Sequence, residues 1–384
     1  MALSIKEQFR LITRNTEEVL IPEDLRRLLA DNTPLRHYIG FEISGQVHLG
    51  TGLMSMGKVA DFLAARINCT IFLADFHSYL NNKLGGDWNN IRKATKDYFK
   101  EGLIASLKCF NVKVDQEIKK GRLRFVLGKD LYENNLIHWE TFMEVGKHIT
   151  LSRNLRSISI MGKKRGSKVD MATLFYPPLQ VADIFTLKVN LAHAGMDQRK
   201  AHVIARQVAK KLTINPLKNI KGEVIAPVAI HQNLIAGIEG PTRINLEQNS
   251  QKAAAELKMS KSKPDSAIFI HDSPEEIKMK IQKAYCPPKE TALNPIINWV
   301  RFLIFWGERK GRLEINRPKK FGGNKIYPEI DLLIEDYRRG ELHPQDLKNA
   351  VADWLIAKLK PARDHFSTKK AKNGLEFIQS ITNQ

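Results

Sequence analysis

Apolar positions along the chain recur at two different periods. Ile5, Phe9 and Ile12 fall at helical spacing, and Pro22-Glu23-Asp24 opens a second short helix with acid in its first turn. Residues 1–32 therefore read as an N-terminal helical segment. Asn32-Thr33-Pro34 breaks the pattern. Tyr38-Ile39-Gly40-Phe41 is a short apolar run of the kind a buried strand makes, and Ser44-Gly45 is a turn. Residues 51–66 return to helical period, with Leu53, Met56, Val59, Ala60 and Leu63 on one face. Cys69-Thr70-Ile71-Phe72-Leu73-Ala74-Asp75 is a second strand that ends in a carboxylate. A helix over 88–109, a strand over 121–127 and a mostly helical stretch over 132–162 follow. The chain then predicts a helix over 176–187 with proline near its start, a short strand over 189–192, a helix from Gly195-Met196-Asp197-Gln198 to Lys211, and a last strand over 226–230.

Strands alternate with helices throughout 36–230, which predicts an α/β fold: a Rossmann-like parallel sheet with helices on both faces. After Pro274 the pattern becomes helical, with 317–324 as an irregular basic connector. This divides the chain into a catalytic-type domain over 33–270 and an all-helical C-terminal domain over 271–384. At 384 residues there is room for both cores.

Charge changes the picture. Lys+Arg 61 against Asp+Glu 41 gives a net +20, which favours a polyanionic partner, although a lysine-rich surface alone produces the same excess. Cys69, Cys109 and Cys286 form no CxxC or Cys/His cluster, so no protein-bound metal is expected. Sparse cysteines, no apolar leader and no bilayer-length apolar run point to the cytoplasm and away from membranes.

Ligands of an open parallel sheet bind beyond the carboxyl ends of its strands. His48-Leu49-Gly50-Thr51-Gly52 lies there, between the first sheet strand and its helix, where free N–H groups attract phosphate and glycines at 50 and 52 admit a nucleotide to the backbone. No Walker sequence and no GxGxxG is present. A polyphosphate then needs another source of positive charge. Lys258-Met259-Ser260-Lys261-Ser262, after the last strand, supplies two ammonium groups within five residues. Together the two stretches suit attack at an α-phosphate, where charge develops on the equatorial oxygens and the leaving pyrophosphate. A third group, Tyr176, Gln180 and Asp183, shares one helical face, with Gln198 and Tyr38 placed to join it. It is either a polar pocket for a zwitterion with a polar far end or a buried network that holds the helix. Arg153, Arg156, Lys163, Lys164, Arg165 and Arg199 cluster around it in sequence and suit phosphate contacts.

These residues, with Leu73-Ala74-Asp75-Phe76-His77-Ser78-Tyr79-Leu80-Asn81, Lys283-Ala284-Tyr285-Cys286-Pro287 and His343-Pro344-Gln345-Asp346-Leu347-Lys348, resemble the tyrosyl-tRNA synthetases of archaea and eukaryotes, which are class I aminoacyl-tRNA synthetases. The resemblance implies a tyrosine–tRNA ligase that uses ATP with Mg2+, a homodimer formed through an insertion at about 108–170, and a C-terminal anticodon-binding domain. His48, Lys258 and Lys261 are implied in catalysis, with Gly50 and Thr51 and, in the signature loop 256–264, Met259, Ser260 and Ser262 completing the ATP site. Tyr38 and Asp183 are implied to hold the phenolic hydroxyl, and Tyr176, Gln180 and Gln198 the α-amino group. Arg153, Arg156, Arg199 and Asp346 are implied on tRNA(Tyr), Asp346 at the first anticodon base. Thr51 stands where the signature usually has a second histidine, and 239–255 is longer than in shorter archaeal members. A tryptophanyl-tRNA synthetase, a non-catalytic RNA-binding paralogue and a small-molecule nucleotidyltransferase are the rival readings.

Overall fold

The computed structural model describes residues 3–163, 169–241, 258–259 and 266–382. Six strands form one sheet: β1 (Thr16–Leu20), β2 (Arg36–Phe41), β3 (Asn68–Leu73), β4 (Leu123–Leu127), β5 (Leu191–Gly195) and β6 (Val228–Gln232). Their order is β1-β6-β5-β2-β3-β4, with β2 to β6 mutually parallel and β1 antiparallel on the edge. The chain winds from β2 outward through β3 and β4, then returns to place β5 on the other side of β2. The β2/β5 junction is therefore the switch point where a crevice opens at the carboxyl ends.

The strands are apolar because both faces are covered: Cys69 to Leu73 of β3 are buried throughout. Helices α1 (Ile5–Thr13), α2 (Pro22–Ala30) and α3 (Met56–Ala64) precede or follow the first strands, and a π-type turn, Gly50–Ser55, leads into α3. After β3 come α4 (Asp75–Leu80), α5 (Trp88–Ala94), α6 (Lys100–Lys108) and α7 (Val114–Lys119), and after β4 α8 (Gly128–Tyr132), α9 (Leu136–Lys147) and α10 (Leu151–Ser157). Helices α11 (Met171–Thr186) and α12 (Arg199–Ala209) flank β5.

Three expectations change. Residues 1–32 are not helical throughout, since β1 lies inside them. Its glutamates resemble a solvated helix face, but the edge strand directs Glu18 at Arg199, whose Nε and Nη2 both donate to it at 2.8 Å. Helix α11 starts at Met171 rather than at Tyr176, so Pro177 and Pro178 are interior. Proline lacks the N–H that would bond four residues back. The Leu174 carbonyl left open by Pro178 accepts instead from Asn154 Nδ2 at 2.7 Å.

The third change is in the C-terminal region, which is helical but not all-helical. It holds α13 (Pro274–Lys283), α14 (Pro295–Trp299), α15 (Ile330–Arg339), α16 (Pro344–Phe366) and α17 (Lys369–Thr382), together with an antiparallel ribbon of β7 (Lys310–Ile315) and β8 (Lys325–Glu329). The basic connector is the link between these strands. Leu313 and Ile315 are buried while Arg312 and Glu314 are exposed, a two-residue period hidden among charges. Ser273 and Glu276 close a capping box at the start of α13.

Candidate active site

At the β2/β5 switch point lies a cleft of about 240 Å3, lined by Tyr38, Gly40, Glu42, His48, Gly50, Thr51, His77, Tyr176, Gln180, Asp197, Gln198, Lys258 and Met259 among others. Residues from both signature stretches and from α11 thus meet in one place. Strand β2 contributes Tyr38. Helix α11 contributes Tyr176 and Gln180 from the face that also carries Asp183.

Asp183 is fully buried below the cleft. Its Oδ1 accepts from Tyr132 Oη at 2.8 Å. Its Oδ2 has no hydrogen-bond partner among the described residues and lies 3.6 Å from His77 Nε2. Burial pushes the Asp183 carboxyl well above the usual carboxylate range, and the Tyr132 hydrogen bond opposes that rise. Burial likewise raises the Tyr38 phenol, and the charge of Asp183 raises it further. Burial lowers His77 to about 3, so its ring is neutral, and neither nitrogen has a hydrogen-bond partner among the described residues.

One wall of the cleft is built from amides and a phenol. Gln180 Nε2 donates to Gln198 Oε1 at 3.3 Å, Gln198 Nε2 donates to the Ile160 carbonyl at 2.9 Å, and the buried Gln180 Oε1 has no partner among the described residues. Tyr176 Oη donates to Glu42 Oε1 at 2.7 Å. Glu42 and His77 also line the cleft and Tyr132 bonds Asp183, and the sequence reading singles out none of the three. The available signal was position: Glu42 follows β2, Asp75 to His77 follow β3, and Tyr132 closes the helix after β4.

Elsewhere along the cleft, His48 Nδ1 accepts from the Gly50 N–H at 3.0 Å, which fixes the ring. A Cβ on Gly50 would stand 2.9 Å from His48 Cε1, so glycine is needed there. Gly52 has another reason. Its Cβ would meet Ile270 Cγ2 at 2.4 Å, so this glycine serves close packing and not nucleotide approach. Lys258 Nζ lies 2.7 Å from Asp197 Oδ2. Met259 is buried, and its N–H donates to the Ile235 carbonyl at 2.7 Å. Ser260, Lys261 and Ser262 lie outside the described residues, as does 242–255 of the long segment.

A second cleft, about 780 Å3, is lined by Arg153, Arg156, Lys163, Arg199 and Lys200. The predicted basic cluster is thus one surface, extended by Lys200, while Lys164 and Arg165 lie outside the described residues. Arg153 Nη2 donates to Gln207 Oε1 at 2.8 Å. Asp346 lines neither cleft. It sits in the first turn of α16, 3.9 Å from Arg317 Nη1.

The chain matches one family model over residues 30–360, described as tRNA synthetases class I (W and Y). The chain belongs to that family. Within it the chain falls with the tyrosine–tRNA ligases: it is 47% identical over 382 residues to those of Thermococcus kodakarensis and Pyrococcus furiosus, covering 99% of either chain. Among solved structures it is similar to the tyrosyl-tRNA synthetase of Pyrococcus horikoshii complexed with L-tyrosine, with a TM-score of 0.92, 46% identity, 98% of this chain and 100% of that chain covered. The tryptophanyl-tRNA synthetase of Aeropyrum pernix shares the fold, with a TM-score of 0.62 and 14% identity over 93% of this chain and 84% of that one.

Proposed function

We propose that the cleft joins L-tyrosine to ATP and that the second cleft presents tRNA(Tyr) to the product. A tyrosine carboxylate oxygen attacks the α-phosphorus, the bond to the bridging oxygen of the β-phosphate breaks, and pyrophosphate leaves. A terminal ribose hydroxyl of the tRNA then attacks the tyrosyl carbonyl, AMP leaves, and the hydroxyl proton is released. Mg2+ enters on the ATP polyphosphate as part of the substrate. His48, Lys258 and Lys261 stabilise the charge that develops in the first step, with Gly50, Thr51, Met259, Ser260 and Ser262 around the nucleotide. No side chain acts as nucleophile, so positioning and electrostatics carry the rate.

One observation carries the choice of amino acid: a buried carboxylate oxygen, Asp183 Oδ2, without a partner beside Tyr38. A para-hydroxyl can donate to the first and accept from the second. An indole N–H is a donor only and leaves the Tyr38 hydroxyl unmatched. Tyr176, Gln180 and Gln198 hold the α-amino group.

Further support bears on assembly. Leu136, Ile137, Met143, Leu151, Met171 and Phe175 are exposed on α9, α10 and the start of α11, an apolar surface that suits a homodimer contact in or next to the 108–170 insertion. Residues 271–384 take the anticodon, with Asp346 at its first base, while 33–270 carry the chemistry and 1–32 brace them. We place the reaction in the cytoplasm; among the described residues no helix is long and apolar enough to cross a membrane.

The test is ATP–pyrophosphate exchange with each amino acid in turn. Exchange with tyrosine alone is expected. Exchange with tryptophan but not tyrosine would sink the assignment, and no exchange at all would favour the RNA-binding paralogue.

A further inference from the structure

Helix α8 is a single short turn-and-a-half, yet it is pinned at both ends. At its start, Asp75 Oδ1 accepts from the Lys129 N–H at 3.2 Å and from the Phe76 N–H at 3.0 Å, which ties α8 to α4. A Cβ on Gly128 would come within 2.3 Å of Asp75 Oδ1, so a larger residue here would displace the carboxylate that holds α8. At its end, the Tyr132 ring is stacked on His138 at 4.2 Å and meets the edge of Phe76 at 4.9 Å. The Tyr132 carbonyl accepts from Trp139 Nε1 at 3.2 Å. The phenol therefore has little freedom, and its hydroxyl is delivered to Asp183 Oδ1.

An aspartate carboxylate can turn about its last torsion and present either oxygen, both or neither to a ligand. We propose that Tyr132 is a positioning residue for amino-acid selection: by occupying Asp183 Oδ1 it fixes the carboxylate plane and leaves Oδ2 as the acceptor for the substrate's para-hydroxyl. The inference rests on the tyrosine reading of the cleft. Asp183 Oδ2 is buried and unpartnered among the described residues, and the nearby His77 Nε2 is beyond hydrogen-bond reach at 3.6 Å. Tyrosine satisfies that oxygen. Phenylalanine leaves it unpaired, which is the state a selective site penalises. Without the Tyr132 hydroxyl, the carboxylate turns toward other partners, and the penalty against phenylalanine shrinks.

The experiment compares wild type, Tyr132→Phe and Asp183→Ala in ATP–pyrophosphate exchange with L-tyrosine and with L-phenylalanine. Tyr132→Phe keeps the ring that stacks on His138 and removes one oxygen. It is expected to raise the tyrosine KM about tenfold, to leave kcat and the ATP KM within about twofold, and to lower the tyrosine-to-phenylalanine ratio of kcat/KM by a similar factor. A Tyr132→Phe protein that does not fold, or that folds with an unchanged tyrosine KM and selectivity, overturns the proposal, because the hydroxyl is then structural. Asp183→Ala separates the two levels. If it leaves the tyrosine KM unchanged, the reading of the cleft itself fails. If it raises that KM while Tyr132→Phe does not, only the role of Tyr132 fails.

Discussion

Lys258 Nζ lies 2.7 Å from Asp197 Oδ2 across the mouth of the cleft. The lysine side chain is 39% exposed, so solvent screens the pair and its net worth is about 0–1 kcal/mol. A polyphosphate carries more charge than one carboxylate and can draw the ammonium away at little cost. The ion pair thus holds the lysine at the lining of the cleft. Backbone contacts keep it there, since Met259 N–H is bonded to the Ile235 carbonyl.

Lys258→Ala should lower kcat for ATP–pyrophosphate exchange by about a hundredfold, the effect of losing one preorganised donor to a transition-state charge. The tyrosine KM should move less than about twofold, because Lys258 is not on the tyrosine side. A large rise in that KM with kcat intact would show that the lysine holds the amino acid and not the phosphates.

Asp183→Ala should act in the opposite sense. It removes the buried oxygen that we propose meets the para-hydroxyl, so the tyrosine KM should rise by roughly a hundredfold, on the scale of 2–3 kcal/mol for a hydrogen bond to a charged group. The ATP KM should stay within about twofold. Steady-state exchange with each substrate varied separately decides it, and equal rises in both KM values would mean that Asp183 only holds α11.

The sheet was legible in the sequence, as was the meeting of His48, Gly50 and Thr51 with Lys258 and Met259, and the limits of that reading have physical causes. Buried parallel strands such as β3 are apolar runs, and their period and length leave little choice. Strand β1 was hidden because its Glu18 pairs across the structure, with Arg199 and His231, rather than along a helix face. The ribbon β7–β8 was hidden because it is short and mostly charged. In the cleft, Tyr38, Tyr176, Gln180 and Gln198 line it as a set, while Asp183 sits one layer below. Tyr132, Glu42 and His77 come from three different strand ends, and no sequence spacing relates them. Gly52 was given the wrong reason: a glycine in a phosphate motif was read as room for a ligand, and the space is taken by Ile270.

That difference predicts separate outcomes for two neighbouring glycines. Gly52→Ala forces a methyl against Ile270 Cγ2 and should destabilise the fold by about 1–3 kcal/mol, seen as a lower Tm, with exchange activity largely kept below that temperature. Gly50→Ala pushes on the His48 ring and should lower kcat with a smaller change in Tm. The idea fails if both substitutions lower kcat alike at a temperature where both proteins are folded.

The basic cleft calls for a measurement that exchange cannot supply. Lys200 Nζ donates to the Arg156 carbonyl at 2.9 Å and to Ser159 Oγ at 2.7 Å, so α12 and α10 are held as one surface. Arg156 itself extends from that surface with Arg153 beside it. Arg156→Ala should leave ATP–pyrophosphate exchange unchanged, because the first step needs no tRNA. It should raise the tRNA KM in aminoacylation and reduce the slope of log affinity against log salt by about 0.7–1, the share of one phosphate contact. Arg199→Ala is expected to do more than this. It also strips Glu18 of both guanidinium bonds and leaves that carboxylate with His231, so a lower Tm should accompany the weaker tRNA binding. If Arg156→Ala slows exchange as much as aminoacylation, the cleft supports the chemistry of the first step and is not a tRNA surface.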